Sequence, residues 1–269
     1  MCLDLLACTC CQRKGYNDTL MYGLLHLESG EIMQVTYLYH SGYFVETETA
    51  YLLFDYYKGT IPEMVEEKPL VVFVSHSHVD HYNREIYHLL EIHPDTRYIL
   101  AKDIPTKKLI AEWKEQGIDL EPHITSIRKN TTESLELSNG KRICITTLKS
   151  TDAGVAYLVD YENQTIYHAG DLNLWYWEGE SKQYNDNMTK GYLREMEKLR
   201  NKHIDVAFVP LDPRLELHAF DGMKIFMEYT DCQQVYPMHM WEDYRIIQEF
   251  VACNEKYRKR IVDIVSKYT

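Results

Sequence analysis

The sequence lacks a long hydrophobic run, an excess of basic residues and any repeated or low-complexity segment. Its longest strongly apolar stretch, residues 70–74, is far shorter than the ~18 residues that a membrane-spanning helix requires. The formal net charge of -12 would repel a phosphate backbone, which argues against generic nucleic-acid binding. With 45% hydrophobic and 26% charged residues, the 269-residue chain has a globular composition and can bury a large core.

Paired cysteines with the spacing of a structural metal clip are also missing. Four of the seven cysteines lie near the N-terminus, in a segment that has no basic n-region and so does not resemble a signal peptide. We interpret these four as reduced thiols on an extension and the other three as small core residues, which predicts a reducing cytoplasmic location. The first group is Cys2, Cys8, Cys10 and Cys11, and the second is Cys144, Cys232 and Cys253.

Strand-like segments begin at Met33, where MQVTYLYH, YFVET and YLLFD follow one another. The continuous apolar run PLVVFVS predicts a strand that is buried on both faces. After a β-rich middle, the pattern predicts helices over 188–202, 219–230 and 243–256, and strands over 205–209 and 234–236. We therefore predict one α/β domain over 33–269, with helices outside mixed sheets, and an extension over 1–32 that is disordered or not native.

The most informative segment is SHSHVDH, residues 75–81, which directly follows that buried strand. Side chains at the carboxyl end of such a strand commonly form functional sites. Two histidines at i and i+2 of an extended chain point the same way, so His76 and His78 can share one ion. Asp80 and His81 stand together at a predicted helix start and can face a second ion. Imidazole and carboxylate ligands suit Zn, Fe or Mn and leave coordination positions for water.

Two later strand ends repeat this placement of metal-ligand residues. Asp171 follows the strand QTIYH, and the preceding Gly170 allows the backbone a close approach there. His239 follows the strand QQVY in the same manner. Either residue alone would be weak evidence for a metal site. Because both repeat the strand-end placement of the first motif, together they support one.

HSHVDH, AGD and PMH, in this order, resemble the metallo-β-lactamase superfamily from about Met33 to the C-terminus. The resemblance implies a four-layer αβ/βα sandwich, with two mixed β-sheets flanked by helices and the metals at one edge. Within the superfamily, STDAGVAYLV, YHAGDLNLWYWEGE and VPLDPRL resemble a bacterial branch described only as metallo-hydrolases. The implied ligands are His76 and His78 for one ion, Asp80, His81 and His239 for the other, and Asp171 as the bridge.

One departure from the family pattern concerns the third histidine of the first ion. The corresponding region reads STDAG, residues 150–154, and contains no histidine. Asp152 is the expected substitute, because a carboxylate oxygen can occupy a zinc position, although it could instead be a turn residue that caps its own backbone. A carboxylate there would favour harder ions such as Mn or Fe. His168 is expected to orient a ligand from behind.

The residues near the motif suggest a catalytic role for Asp80 and His40. Two ions about 3.5–4 Å apart lower the pKa of a shared water toward ~7, so no Ser or Cys nucleophile is needed. Asp80 would position that water as well as bind metal. His40 ends the first strand and could act as a donor, or it could be a core residue.

A substrate pocket is expected from residues that follow two other strands. Asp212 and Arg214 could clamp an anionic substrate, or they could form a mutual surface salt bridge. Trp175 and Trp177 could form an aromatic wall, or they could serve packing alone.

These features predict an enzyme, a cytoplasmic metal-dependent hydrolase that uses a metal-bound hydroxide on a small anionic ester, lactone or phosphodiester. The expected cofactors are two divalent ions, zinc first and Mn or Fe as alternatives. The expected partner is a small-molecule substrate, with no membrane or nucleic-acid partner, and a homo-oligomer is left open. Two alternatives remain: a diiron redox protein on the same fold, and a degenerate member that binds a metal or metabolite without turnover.

Overall fold

The N-terminal half of the chain pairs into a mixed seven-stranded sheet. The computed structural model describes residues 21–26 and 32–264. The strands are β1 (Met21–His26), β2 (Ile32–Tyr39), β3 (Gly42–Glu46), β4 (Tyr51–Phe54), β5 (Leu70–Val74), β6 (Thr96–Ala101) and β7 (Ile124–Ile127). They lie in sequence order; β1 to β4 pair antiparallel, and β4 to β7 pair parallel.

The C-terminal half forms a mixed six-stranded sheet. Its strands are β8 (Thr132–Glu136), β9 (Arg142–Lys149), β10 (Val155–Tyr161), β11 (Gln164–His168), β12 (His203–Pro210) and β13 (Asp231–Met238). They also lie in sequence order, antiparallel from β8 to β11 and parallel from β11 to β13. Both sheets thus end in parallel strands, whose carboxyl ends meet at one edge.

Five α-helices accompany the strands within the described residues. They are α1 (Leu89–Ile92), α2 (Thr106–Glu115), α3 (Lys182–Glu197), α4 (Asp221–Tyr229) and α5 (Arg245–Cys253). Short 3-10 helices cover Arg84–His88, Glu121–His123, Pro213–His218 and Glu255–Tyr257. None of the helices within the described residues is long and apolar enough to cross a membrane.

Alternating side chains on each central strand contact two different layers. In β5, Phe73 faces the other sheet, where its ring lies 5.3 Å from that of Tyr157. Its neighbour Val72 belongs to a second hydrophobic cluster, between this sheet and its helices, which also contains Trp113 of α2. In β11, Tyr167 stacks on Phe226 of α4 at 5.1 Å. The predicted four layers, with two mixed sheets between helices, are therefore confirmed.

Two predicted boundaries differ from the structure. Met21–His26 pairs with β2, so the sheet begins ahead of Met33, where the sequence predicted the fold to start. Helix α3 begins at Lys182 rather than 188, because Ser181 caps it by accepting the N–H of Tyr184. The first turns of α3 are polar, so the hydrophobic pattern did not reveal where the helix begins. The remainder of the predicted extension, with Cys2, Cys8, Cys10 and Cys11, lies outside the described residues.

Gly154 occupies the tightest backbone position next to the predicted metal motif. Its φ is +66°, in the left-handed region, and it precedes β10. A Cβ atom there would lie 1.9 Å from the carbonyl oxygen of Ser75 and 2.5 Å from Cβ of His76. Glycine is therefore required both by backbone conformation and by the close approach to the motif.

Gly154→Ala should lower the free energy of unfolding by about 2–5 kcal/mol, the sum of the left-handed conformation and the overlap. Gly140→Ala is the matched control, because its φ is +75° but an added Cβ would have no neighbour within 4 Å. We expect a loss of only about 1 kcal/mol there. Urea unfolding of both variants measures the difference, and equal losses would contradict the role of the close contact.

Candidate metal centre

The carboxyl ends of strands from both sheets bring titratable side chains to one edge. His76 lies two residues beyond the end of β5, and Asp171 lies three residues beyond the end of β11. His239 comes directly after β13, and His40 directly after β2. Three of the non-glycine residues at this edge have left-handed backbone: His40 at φ 54°, Asp55 at 41° and His239 at 66°. The chain turns sharply at these points, as a site built from strand ends requires.

One oxygen of Asp171 forms a triangle with two imidazole nitrogens. Oδ1 lies 3.1 Å from Nε2 of His81 and 3.1 Å from Nε2 of His239. The two Nε2 atoms are 3.0 Å apart. Ligand atoms around a tetrahedral ion with bonds of ~2.0–2.2 Å are themselves roughly 3.3–3.5 Å apart. The triangle therefore has nearly the dimensions of three ligands on one ion.

The other oxygen of Asp171 faces a second group. Oδ2 lies 3.2 Å from Nε2 of the buried His76 and 3.9 Å from Nδ1 of His78. Ligand atoms of His78, Asp152 and Asp171 all lie within 4.8 Å of one another. The structure thus brings Asp152 together with His78 and Asp171. His78 and Asp152 are exposed, whereas the first group is buried.

Several buried polar atoms at this edge are close to charged neighbours but have no well-formed hydrogen bond within the described part of the chain. They include Nε2 of His76, Oδ1 of Asp171 and Nδ1 of His239. A buried polar atom without a hydrogen bond costs about 1–3 kcal/mol, so several of them at one place indicate a site that a ligand can complete. The donor set of imidazoles and carboxylates fits a divalent ion such as Zn, Mn or Fe.

Asp55 holds the motif in place, and the sequence did not single it out. Its Oδ2 lies 2.7 Å from Nδ1 of His81, and its oxygens accept the backbone N–H and the hydroxyl of Ser75 at 2.7 and 2.6 Å. Asp55 follows β4, which pairs with β5. The available signal was an aspartate ending a strand in YLLFD, beside the strand that carries the motif.

His168 lies behind the centre, where both ring nitrogens have hydrogen bonds within the fold. Its Nε2 donates to the carbonyl of Ser41 at 2.9 Å, and its Nδ1 accepts the N–H of Gly170 at 3.1 Å. Its ring also stacks on Phe54 at 5.3 Å. His168 therefore ties the turn before Asp171 to the other sheet.

Around Oδ1 of Asp171, the attraction between opposite charges shifts the pKa values more than burial does. For Asp171, burial favours the neutral acid, but His81 and His239 hold its pKa well below the usual value. For His81, burial favours the neutral ring, but Asp171 and Asp55 raise its pKa to about 10. The protonated imidazoles neutralise these carboxylates here. A bound metal cation could supply that positive charge in their place.

Asp80 is turned toward His40. Its Oδ2 lies 3.3 Å from Nε2 of His40, and it belongs to none of the groups of three ligand atoms found among the described residues. Burial lowers the pKa of His40 to about 4 despite this carboxylate. Burial raises the pKa of Asp80, but His40 and His81 outweigh that effect and lower it. Asp80 is thus an ionised group beside a neutral imidazole.

A cavity of about 240 Å³ opens over the centre. The guanidinium of Arg214 reaches its wall and lies 4.5 Å from the ring of Trp241. Asp212 is fully buried and does not line the cavity, but it accepts three hydrogen bonds from the Arg214 guanidinium at 2.6–3.1 Å. The lining residues are His78, Asp80, Asp152, Asp171, Trp175, Trp177, Tyr184, Met188, Arg214 and His239.

The sequence predicted only part of this wall. Trp175 and Trp177 stack in parallel, with ring centroids 6.4 Å apart, and both face the cavity. Tyr184 and Met188, both in the first turns of α3, also line the cavity and were not anticipated; Tyr184 lies ahead of the predicted helix start at 188. Their sequence surroundings gave no signal that would have found them.

Several known metal-dependent hydrolases are similar to this chain in sequence or in structure. A metal-dependent hydrolase of Bacillus subtilis is 26% identical over 77% of this chain and 85% of its own. A candidate metal-dependent hydrolase from Parabacteroides distasonis has a similar structure, with a TM-score of 0.62 and 16% identity over 91% of this chain and 98% of its own. A metallo hydrolase of Ignicoccus hospitalis has a TM-score of 0.57 and 15% identity, over 86% and 94% of the two chains.

The family assignment rests on the sequence match. The Beta-lactamase superfamily domain matches residues 34–185, more than half of the chain. The similar structures have under 25% identity and support the fold alone. The predicted family is therefore confirmed, and the chain belongs to the metallo-β-lactamase superfamily.

Proposed function

We propose that this protein is a metal-dependent hydrolase with two metal ions, acting on a small anionic ester, lactone or phosphodiester. The observation that carries the proposal is the Asp171 carboxylate, with one oxygen toward His81 and His239 and the other toward His76. A carboxylate placed between two groups of imidazoles is the arrangement expected of a bridging ligand. The names of the relatives, metal-dependent hydrolases, agree with this activity.

The proposed ligands divide between the two oxygens of Asp171. His76, His78 and Asp152 would hold one ion, and His81 and His239 the other. Zinc is the first choice, and the carboxylate of Asp152 leaves Mn or Fe as alternatives. When bound, the ions would supply a nucleophile from water at neutral pH and polarise the scissile group.

Residues around the centre would orient the reactants. Asp80 lines the cavity as an ionised carboxylate, so it can accept a hydrogen bond from the attacking water. His40 contacts that carboxylate and limits its movement. Asp55 keeps the Nδ1 proton of His81 engaged, which directs Nε2 of the ring to the centre.

The cavity supports an anionic substrate with an apolar portion. Arg214 is the one Lys or Arg among the described residues that line it. Because Asp212 fixes the guanidinium from behind, its orientation toward the cavity is preset. Trp175 and Trp177 offer an apolar face beside it. We further propose a cytoplasmic location, with which the free thiols of Cys144, Cys232 and Cys253 agree.

The first test is elemental analysis of protein purified without chelator or added metal, with hydrolysis assays on p-nitrophenyl acetate, γ-butyrolactone and bis(p-nitrophenyl) phosphate. We expect two zinc ions per chain and hydrolysis of at least one substrate. Asp171→Ala should lower both metal content and activity, the latter at least about 100-fold. Asp160→Ala is the matched control, because the one side-chain hydrogen bond of Asp160 found among the described residues joins it to Thr165 on the neighbouring strand. Two iron ions without hydrolysis would favour the redox alternative, and one ion or none would favour a degenerate binder.

Asp55→Asn should weaken metal binding about 10–100-fold, because the amide cannot accept from His81 and Ser75 as the carboxylate does. Competition with a chromophoric chelator measures the affinity. Asp160→Asn again serves as the control for loss of a strand carboxylate. An unchanged affinity in Asp55→Asn would show that this residue supports only the fold.

Arg214→Gln should raise KM for the anionic bis(p-nitrophenyl) phosphate about 10-fold or more, because a charge-assisted hydrogen bond is lost. The neutral p-nitrophenyl acetate is the internal control and should be hydrolysed with little change. Steady-state kinetics on both substrates gives the comparison. Equal losses for the two would indicate that Arg214 shapes the cavity and does not recognise charge.

A further inference from the structure

Asp212 is a fully buried carboxylate that contacts both a predicted metal ligand and the arginine of the cavity wall. It lies two residues beyond the end of β12 and is 0% exposed. Its Oδ1 accepts the backbone N–H of Arg214 at 3.0 Å, a bond that caps the short helix Pro213–His218. Since water does not reach this carboxylate, neighbouring donors of the protein must compensate its charge.

On one side, Asp212 holds the guanidinium of Arg214. Nε of the arginine donates to the two carboxylate oxygens at 2.9 and 3.1 Å, and Nη2 donates to Oδ2 at 2.6 Å. The ring of Trp241 lies 4.5 Å from the guanidinium carbon, and its Nε1 also donates to Oδ2, at 3.2 Å. Nη1 has no hydrogen-bond partner in the described part of the chain, so this end of the fork stays available to an oxyanion in the cavity.

On its other side, Asp212 faces the ring of His239. Oδ2 lies 3.7 Å from Nδ1 of that ring, whose Nε2 lies 3.1 Å from Oδ1 of Asp171. Nδ1 has no well-formed hydrogen bond within the described residues, and Asp212 is the carboxylate paired with it there. Metal-binding histidines usually donate the second ring N–H to such a partner, which fixes the direction of the ring. Asp55 stands behind His81 in the same way, at 2.7 Å.

These contacts leave the carboxylate of Asp212 little freedom to move. Arg214 contributes three N–H groups and Trp241 contributes one, so the two oxygens already accept from four donors. A carboxylate offers about four lone-pair sites, and His239 is a further donor at a longer, electrostatic distance. A displacement of Asp212 would therefore disturb a metal ligand and a substrate contact together.

We propose that Asp212 is a positioning residue that orients the metal ligand His239 and the anion-binding Arg214 through one carboxylate. The inference rests on the proposed function for the roles of those two residues, and it adds that their positions are set together. Asp212 does not line the cavity, so it acts through these two neighbours. An oxyanion on Arg214 would then be held at a fixed place relative to the ion at His239.

Zinc affinity tests the contact with His239. Metal-stripped full-length protein is titrated with zinc in competition with a chromophoric chelator. Asp212→Asn should weaken one zinc site about 10–100-fold, because the amide is uncharged and one of its two ends is a donor. Glu195→Gln is the matched control, because Glu195 is also a buried carboxylate, 4% exposed and paired with Lys198, but does not line the cavity. It should keep both zinc sites within about 3-fold of the wild type.

Inorganic phosphate tests the contact with Arg214. Zinc-loaded protein is titrated with phosphate, and the fluorescence of Trp177 and Trp241 beside the guanidinium reports binding. Arg214→Gln should weaken the affinity about 10-fold or more in the wild-type background, because a charge-assisted hydrogen bond is lost. In the Asp212→Asn background the same change should weaken it about 3-fold or less, because an arginine that is not oriented loses more freedom on binding. Comparison within each background removes the effect of the Asp212 charge itself.

Unchanged zinc affinity in Asp212→Asn, or an equal effect of Arg214→Gln in both backgrounds, would overturn the proposal. A purely structural role of Asp212 would lower the folded fraction in urea unfolding and produce neither effect. The two titrations use no turnover, so a failure to hydrolyse any test substrate would count against the proposed function alone.

A crystal structure of the wild type with zinc and phosphate gives the test if Asp212→Asn does not fold. Nδ1 of His239 should then lie about 3.2 Å or less from Oδ2 of Asp212, and Nη1 of Arg214 should donate to phosphate. A separation that stays at 3.7 Å, or phosphate bound away from Arg214, would contradict the proposal.

Discussion

The structure of this centre depends on the burial of one carboxylate. Asp171 is 5% exposed, and a buried charge must be paired or must bind a metal. His76 and His81 of the motif contact it from one sheet, and His239, far along the sequence, contacts it from the other. The indole N–H of Trp175 donates to the carbonyl of Asp171 and fixes the turn that presents the side chain. The two sheets must therefore pack in one relative position for this charge to be compensated.

Much of the fold and the centre could be predicted from local pattern. The motif at 75–81 was visible because four ligand-type residues follow a strand that is apolar throughout. Asp171 and His239 were predicted because they repeat that strand-end placement, and the structure brings both to the motif. The superfamily resemblance supplied the packing of the two sheets, which periodicity alone does not determine.

What could not be predicted depends on contacts between strands and on side-chain direction. The role of Asp55 in holding the motif depends on the pairing of β4 with β5, which places Asp55 beside Ser75 and His81. The direction of Asp80 toward His40 is likewise a tertiary property, and spacing in the motif does not reveal it. For Asp212 and Arg214, the sequence posed a salt bridge and a substrate clamp as alternatives. The structure combines an internal ion pair with an arginine on the cavity wall, because one carboxylate buried behind the guanidinium leaves its outer face free for the cavity.

The left-handed backbone at His40, Asp55 and His239 affects the stability of the protein and thereby its resistance to proteolysis in a cell. Each such residue costs about 1–2 kcal/mol, a noticeable fraction of the roughly 5–15 kcal/mol by which a domain is stable. A ligand that binds only the folded chain returns stability in proportion to the logarithm of its free concentration. The population of chains open to proteolysis would then rise when metal is scarce, so the abundance of this protein would follow the metal supply of its host.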